Sequence, residues 1–173
     1  MSEPQDAGAS TPAPLEPGPS DDLARILDLL GRDHVVTLAC RDEQGTWAAA
    51  VFFAHEGLDL YFMSSPNSRH VRCLAFDPCL AGVIHGPAHD WRSIVGLQVS
   101  GSTEQVPPDE VGAAWKVYAR RFPFVDASGQ EADPTLAKVL QKASWYRLRI
   151  SEAVILDNTR GFTHRVRWQR PAA

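Results

Sequence analysis

The stretch Leu58 to Phe76, LDLYFMSSPNSRHVRCLAF, changes its hydrophobic period part-way along, and that change limits what can surround it. Leu58, Leu60 and Phe62 alternate with Asp59, Tyr61 and Met63, which is the period of a half-buried strand. Ser64, Ser65, Pro66 and Asn67 carry turn and cap chemistry, and from Ser68 onward Val71, Leu74 and Ala75 follow the spacing of one helical face. A strand therefore hands over to a short helix. The first turn of that helix gathers unpaired backbone N–H groups, the positive end of the dipole, the hydroxyls of Ser64, Ser65 and Ser68, and the Arg69 guanidinium. Such a corner suits a phosphate-sized anion. The same pattern also serves simply to cover a sheet, with Arg69, His70 and Arg72 as its solvated face.

Strands dominate the rest. HVVTLAC at His34 to Cys40 is rich in β-branched residues, RDEQG turns the chain, and TWAAAVFFA at Thr46 to Ala54 brings it back. His55, Glu56 and Gly57 then turn into the strand at Leu58, so the spacing predicts a three-stranded antiparallel meander. Cys79 to Ile84 and Ile94 to Glu104 read as the fourth and fifth strands, with Gly96 and Gly101 as bulge or bend points. Ser144 to Ala153 and Phe162 to Trp168 complete the set. Both sides of these strands are apolar, which fits a curled sheet covered on two faces, a small barrel rather than an open sheet.

Helices frame the strands. Ser20 caps an amphipathic segment with Leu23, Ile26, Leu27 and Leu30 inward and Gly31 as its stop. Pro107 and Pro108 open a helix from Asp109 to about Arg121, and Asp133 with Pro134 starts a second that points Leu136, Val139 and Leu140 inward. Met1 to Pro19 is rich in Pro, Ala, Ser and Gly and has too few large apolar residues to offset its ordering entropy, so residues 1–19 read as a disordered tail and 20–173 as one domain. A chain of 173 residues is long enough to bury a core without disulfides. Cys40, Cys73 and Cys79 are odd in number, lack CxxC spacing and sit within or beside expected strands and a helix, as expected of reduced, buried thiols in a cytosolic protein.

Charge argues against nucleic acid as a partner. Residues 1–22 hold five acids and no Lys or Arg, leaving 17 bases against 16 acids in the folded body, which is far from a basic face. The sequence also lacks a membrane-length apolar run, a basic-then-apolar leader, a P-loop, GxGxxG, GxSxG and HExxH. His85, His89 and Asp90 have metal-like spacing only on a helix, which Gly86 and Pro87 disfavour, so no metal site is expected. Arg165 and Arg167 share one side of the last strand, with His164, Val166 and Trp168 on the other. Two readings stand there: charges that blunt a sheet edge, or a site for an anionic substrate or second anion at His164, Arg165 and Arg167. No residue stands out as a general acid or base.

One helix, a meander, the strand ending SSPNSRH with its helix, and the later strand GLQVSG together resemble the pyridoxamine 5′-phosphate oxidase-like split-barrel flavoproteins from Asp21 to Trp168. HVVTLAC, YARRFP at Tyr118 to Pro123, and ILDNTRGFTHRVRW resemble the YhbP-like branch of that superfamily. The resemblance implies a mainly β, α+β fold: a six- to seven-stranded antiparallel split barrel with an N-terminal helix, a short helix after the third strand and a helical pair before the last strands. It further implies a homodimer holding FMN near the subunit interface, with Ser68 and Arg69 anchoring the phosphate and His70 standing where many relatives have Lys. The ring would lie along Trp47, Ala48, Ala49, Ala50 and Val51 and along Phe62, Met63 and Ser64, with Gln98 on the fifth strand. Relatives usually add an Arg or Lys from the second strand; here that strand offers Trp47 and alanines. The activity implied is a flavin-dependent oxidoreduction of a small molecule. Within the same architecture stand a deazaflavin, haem on His55, His85 or His164, or a non-enzymatic binding module. Authentic pyridoxamine phosphate oxidation is the less favoured activity, since HRVRW matches its substrate segment only loosely.

Overall fold

The computed structural model describes residues 20–125, 135, 138, 140 and 142–171. The tail expected over residues 1–19 lies outside them. Helix α1 (Ser20–Arg32) carries Asp21 and Asp22 in its first turn, where the dipole favours carboxylates, and buries Ile26, Leu29 and Leu30. Gly31 does not stop it, because the bond from Asp33 N to Leu29 O carries the helical pattern past that residue.

Among the described residues eight strands follow: β1 (Val35–Asp42), β2 (Gly45–Phe52), β3 (Ala54–Glu56), β4 (Asp59–Ser64), β5 (Cys79–His85), β6 (Val95–Gln105), β7 (Ser144–Asp157) and β8 (Arg165–Gln169). All pairings are antiparallel and run β2-β1-β5-β6-β7-β4-β3, with β8 also on β7. The fourteen-residue β7 is the spine. One of its edges carries β6 throughout, while the other carries β4 along its first half and β8 along its second.

The expected meander is corrected at Phe53. The second strand breaks there: β2 pairs with β1, whereas β3 pairs with β4, and β2 and β4 approach each other without a ladder among the described residues. Phe53 is fully buried and its N–H donates to His34 O at 3.1 Å, so the core fixes the kink. Because β2 and β3 lie at opposite ends of the sheet path yet are joined by one residue, the sheet curls into an antiparallel split barrel. The break also accounts for eight strands where six or seven are expected.

The interior is one apolar cluster that includes Val36 and Leu38 of β1, Leu60 and Phe62 of β4, Leu97, Leu148 and Ile150, together with α1 and the buried Cys73 and Leu74 of α2 (Arg69–Phe76). On α2, Cys73 replaces Ala75 on the inward face: Ala75 is exposed and Val71 half-buried. Of the three cysteines expected to be buried, Cys40 and Cys73 are, whereas Cys79 is exposed because it falls on the outward side of β5. A second cluster packs α3 (Val111–Arg121) over the other side of β3 and β4 through Tyr61, Ala114, Tyr118, Phe122 and Trp145. That helix starts at Val111 rather than Asp109. Of the second expected helix, Asp133, Pro134, Leu136 and Val139 lie outside the described residues. Of the two expected bulge or bend points, Gly96 keeps the regular register opposite Leu156, and the bulge falls between Ser100 and Gly101, where glycine is required: a Cβ on Gly101 would overlap the Arg149 carbonyl and sit 3.1 Å from Ile150 Cα.

Candidate functional site

Where β4 gives way to α2, the turn is held by Ser65: Ser68 N and Ser68 Oγ donate to its carbonyl at 3.0 and 2.8 Å, and its own hydroxyl accepts from Asn67 N at 3.3 Å. The Ser68 hydroxyl is thereby turned back, and it does not cap the helix. His70 Nε2 lies 2.7 Å from Ser64 Oγ and 3.2 Å from Ser68 Oγ. Burial lowers the His70 pKa, so the imidazole is neutral in this hydroxyl pair.

Arg69 points away from that pair, toward the β1–β2 turn. Its Nε and Nη2 each donate to the Asp42 carboxylate at 3.0 Å, and its guanidinium lies 4.7 Å from the Trp47 ring centroid. The hydrogen bonds from Arg69 hold the Asp42 carboxyl below the usual range. Asp42, which sequence reasoning missed, is thus part of this corner. No local sequence signal marks it, because it lies twenty-seven residues before Arg69 and the two meet only where the β1–β2 turn reaches α2.

The remaining expected ligands divide by strand parity. Directly paired residues share a face, and one cross-strand row runs Ala50, Thr37, Val83, Gln98, Val154, Arg167 over six strands. The next row runs Ala48, Ala39, Ala81, Ser100, Glu152, Gln169. These two rows are therefore uncharged until the β7–β8 margin, where Arg167 pairs with Glu152 at 2.8 Å, and beyond them on β1 only Arg41, paired with Thr46 across the strands, brings charge to this stretch of the outer face. It is also uncovered: Val35, Phe52 and Val83 are 39%, 53% and 42% exposed. Arg165 extends the same margin from β8 and is exposed.

Trp47, Ala49 and Val51 take the opposite side of β2. Phe62 is wholly buried and stacks on Tyr146 at 5.5 Å, while Met63 joins the α3 cluster, so neither side chain is free to line an open site. What these strands do offer is backbone. Beyond Tyr61, β4 has no partner on its β3 side, and β2 has none beyond β1, so Trp47 to Val51 and Phe62 to Ser64 border the split with unpaired edges among the described residues.

At the far end of the outer face lies a groove of 590 Å³ lined by Ala39, Arg41, Thr46, Trp47, Cys79, Ala81, Ser100 and Ser102, among others. Trp47 belongs both to this groove and to the Arg69 corner, and it joins the two regions. Parity arithmetic on β1, β5 and β6 is the sequence signal that marks the small residues of this wall. Elsewhere, Asp90 accepts from Arg92 N at 2.7 Å and His85 Nδ1 lies 2.9 Å from Gly86 O, so these residues serve their own loop. His55 Nδ1 meets Gly57 O at 3.0 Å. His164 is half-buried, and its Nε2 is closed from solvent without a hydrogen-bond partner.

Against known proteins, residues 22–155 match the family model described as pyridoxamine 5′-phosphate oxidase. The chain belongs to this family. Within it, the UPF0306 protein YhbP of Salmonella paratyphi B is 30% identical over 152 residues, 87% of this chain and 95% of that one. Similar solved structures include a haem-binding protein from Mycobacterium smegmatis, with TM-score 0.65 and 19% identity over 82% of this chain and 55% of that longer one. A FAD-binding protein from Mesorhizobium loti has TM-score 0.56 and 16% identity over 75% of this chain and 90% of that one. These two share the oxidase-family fold with the chain, while the family match rests on the sequence. No helix among the described residues is long and apolar enough to cross a membrane.

Proposed function

We propose that the chain is a cytosolic, FMN-binding homodimer of the flavin-dependent oxidoreductase type, acting on a small molecule. The observation that carries this reading is the uncharged row Ala50, Thr37, Val83, Gln98, left open on a curved sheet. A single sheet face gives a planar ring one wall; two copies related by a two-fold axis supply the second and form a dry slot. Ala48 and Ala50, which look in sequence like lost ligands, keep that wall flat. The unpaired backbone edges along Ala48 to Val51 and Phe62 to Ser64 supply donors and acceptors for ring atoms. Ser68, His70 and Arg69 at the start of α2 would meet the phosphate. When bound, the flavin supplies the electron transfer; the protein positions it, excludes water and tunes it by hydrogen bonds. Gln98, central on the face, is the side chain best placed for that tuning.

An absorbance spectrum of freshly purified protein, with mass identification of any small molecule released on denaturation, tests the reading. Flavin bands with FMN released support it, and a deazaflavin would keep the site but change the cofactor. Colourless protein that takes up neither FMN nor FAD removes it. A second reading, haem, is favoured by His164, whose closed-off Nε2 is a ring nitrogen that iron could take, and by the haem-binding protein of similar fold. A Soret band lost in His164→Ala selects it.

A further inference from the structure

We propose that Asp42 is an internal competitor for the phosphate site: its carboxylate occupies the fork of Arg69 that an incoming phosphomonoester would use, and binding requires its displacement. This rests on the reading of the α2 corner as the head-group site. The two bonds from Arg69 Nε and Nη2 to the two carboxylate oxygens, both at 3.0 Å, are the geometry by which a guanidinium also grips phosphate. The fork thus already holds an anion, and that anion belongs to the chain. The guanidinium also lies 4.7 Å from the Trp47 ring centroid, a cation–π contact that does not depend on Asp42 and so stays with Arg69 when the carboxylate leaves.

Asp42 is suited to leaving. It lies at the mouth of the β1–β2 turn, and its Oδ1 also accepts from Gln44 N at 2.9 Å, so it keeps a partner when Arg69 departs. A phosphate dianion brings more charge and more acceptor oxygens than the carboxylate it replaces. The neighbouring donors also favour it: the Ser68 hydroxyl does not cap α2, which leaves the first turn of that helix without a side-chain acceptor from its cap. The arrangement makes the Arg69 fork selective: a dianionic head group displaces the carboxylate, and one carrying a single weak charge does not.

The test is calorimetric titration of FMN and of riboflavin, which lacks the phosphate, into wild-type, Asp42→Asn and Asp42→Asn/Arg69→Ala proteins. Asparagine keeps the acceptor for Gln44 but removes the competing charge. FMN should bind Asp42→Asn about tenfold more tightly, riboflavin should be unchanged, and the gain should vanish in the double variant. Unchanged or weaker FMN binding by a folded Asp42→Asn, when wild type binds FMN, overturns the competition and leaves the site standing. FMN binding by neither protein overturns both. An equal gain for FMN and riboflavin places the effect outside the head group and also overturns it. If the variant does not fold, the Arg69 Nε–H resonance of wild type decides: it should shift on saturation with FMN and not with riboflavin, and an unmoved signal rejects displacement.

Discussion

The α2 corner and the outer sheet face differ in what each leaves unmet. At the corner the named polar groups are paired within the chain: Arg69 with Asp42, and His70 with Ser64 and Ser68. On the face, Val35, Phe52 and Val83 stand in solvent beside alanines, and no charge interrupts the rows until Glu152 and Arg167. Chemistry that looks reactive in a sequence can be satisfied at home, whereas a plain alternation of small apolar residues can mark the surface that needs a partner. The comparison breaks most directly at Ala50. Ala50→Glu buries a charge if the face pairs with a second copy, at a cost of about 3 to 5 kcal/mol, or more than a hundredfold in the dimer constant. Sedimentation should show monomers with an unchanged far-ultraviolet spectrum, since Ala50 is exposed within one chain. Wild-type protein that stays monomeric at its solubility limit would refute the assigned role of the face.

The curvature of that face depends on the bulge beside the groove. Gly101→Ala puts a methyl group into the Arg149 carbonyl and must push β6 from β7, which should cost about 3 kcal/mol, the upper end of overpacking penalties, read as a lower urea midpoint. An unchanged midpoint would show that the bulge yields easily and that the face is less rigid than its register suggests. At the corner, the largest test is Arg69→Ala. FMN affinity should fall about tenfold or more while riboflavin affinity holds. Equal losses for both ligands would make Arg69 a clip between α2 and the β1–β2 turn and nothing more.

Much of this architecture was legible in the sequence, because alternation and period change are local. The strand at Leu58 to Met63, the handover at Ser64 to Ser68, and Gly101 as a bulge all follow from residue type at fixed spacing. What failed was relational. TWAAAVFFA reads as one strand, and nothing local shows that Phe53 is pulled into the core so that the two halves pair with different neighbours. Likewise Arg69 reads as a free cation, because the competing carboxylate is twenty-seven residues earlier and meets it only through the curl of the sheet. The expected ligands were spread over two faces for the same reason: parity along β2 places Ala48 and Ala50 with Gln98, but Trp47 with Arg69. Strand identity is a short-range property; which strand ends meet is set by barrel closure.

The smallest effect separates the corner from an ordinary solvated helix start. Burial holds the His70 pKa below its ordinary value of about 6.5. As pH falls through that value, the unfolded chain takes up a proton that the folded chain refuses, so folding loses free energy with each step downward until the folded pKa is reached. Above about pH 7 the group is neutral in both states and contributes no slope. His55 is shifted in the same direction, also chiefly by burial, so the two must be separated by variant. Urea midpoints of wild type, His70→Gln and His55→Gln at about pH 7.5 and pH 5.5 do this, since glutamine keeps a hydrogen-bonding side chain but cannot titrate. His70→Gln should lose part of the acid destabilisation seen in wild type. An identical loss in wild type and His70→Gln would mean that the His70 imidazole protonates freely in the folded state. The hydroxyl pair around it would then be open to solvent, and the corner would be no more enclosed than the face.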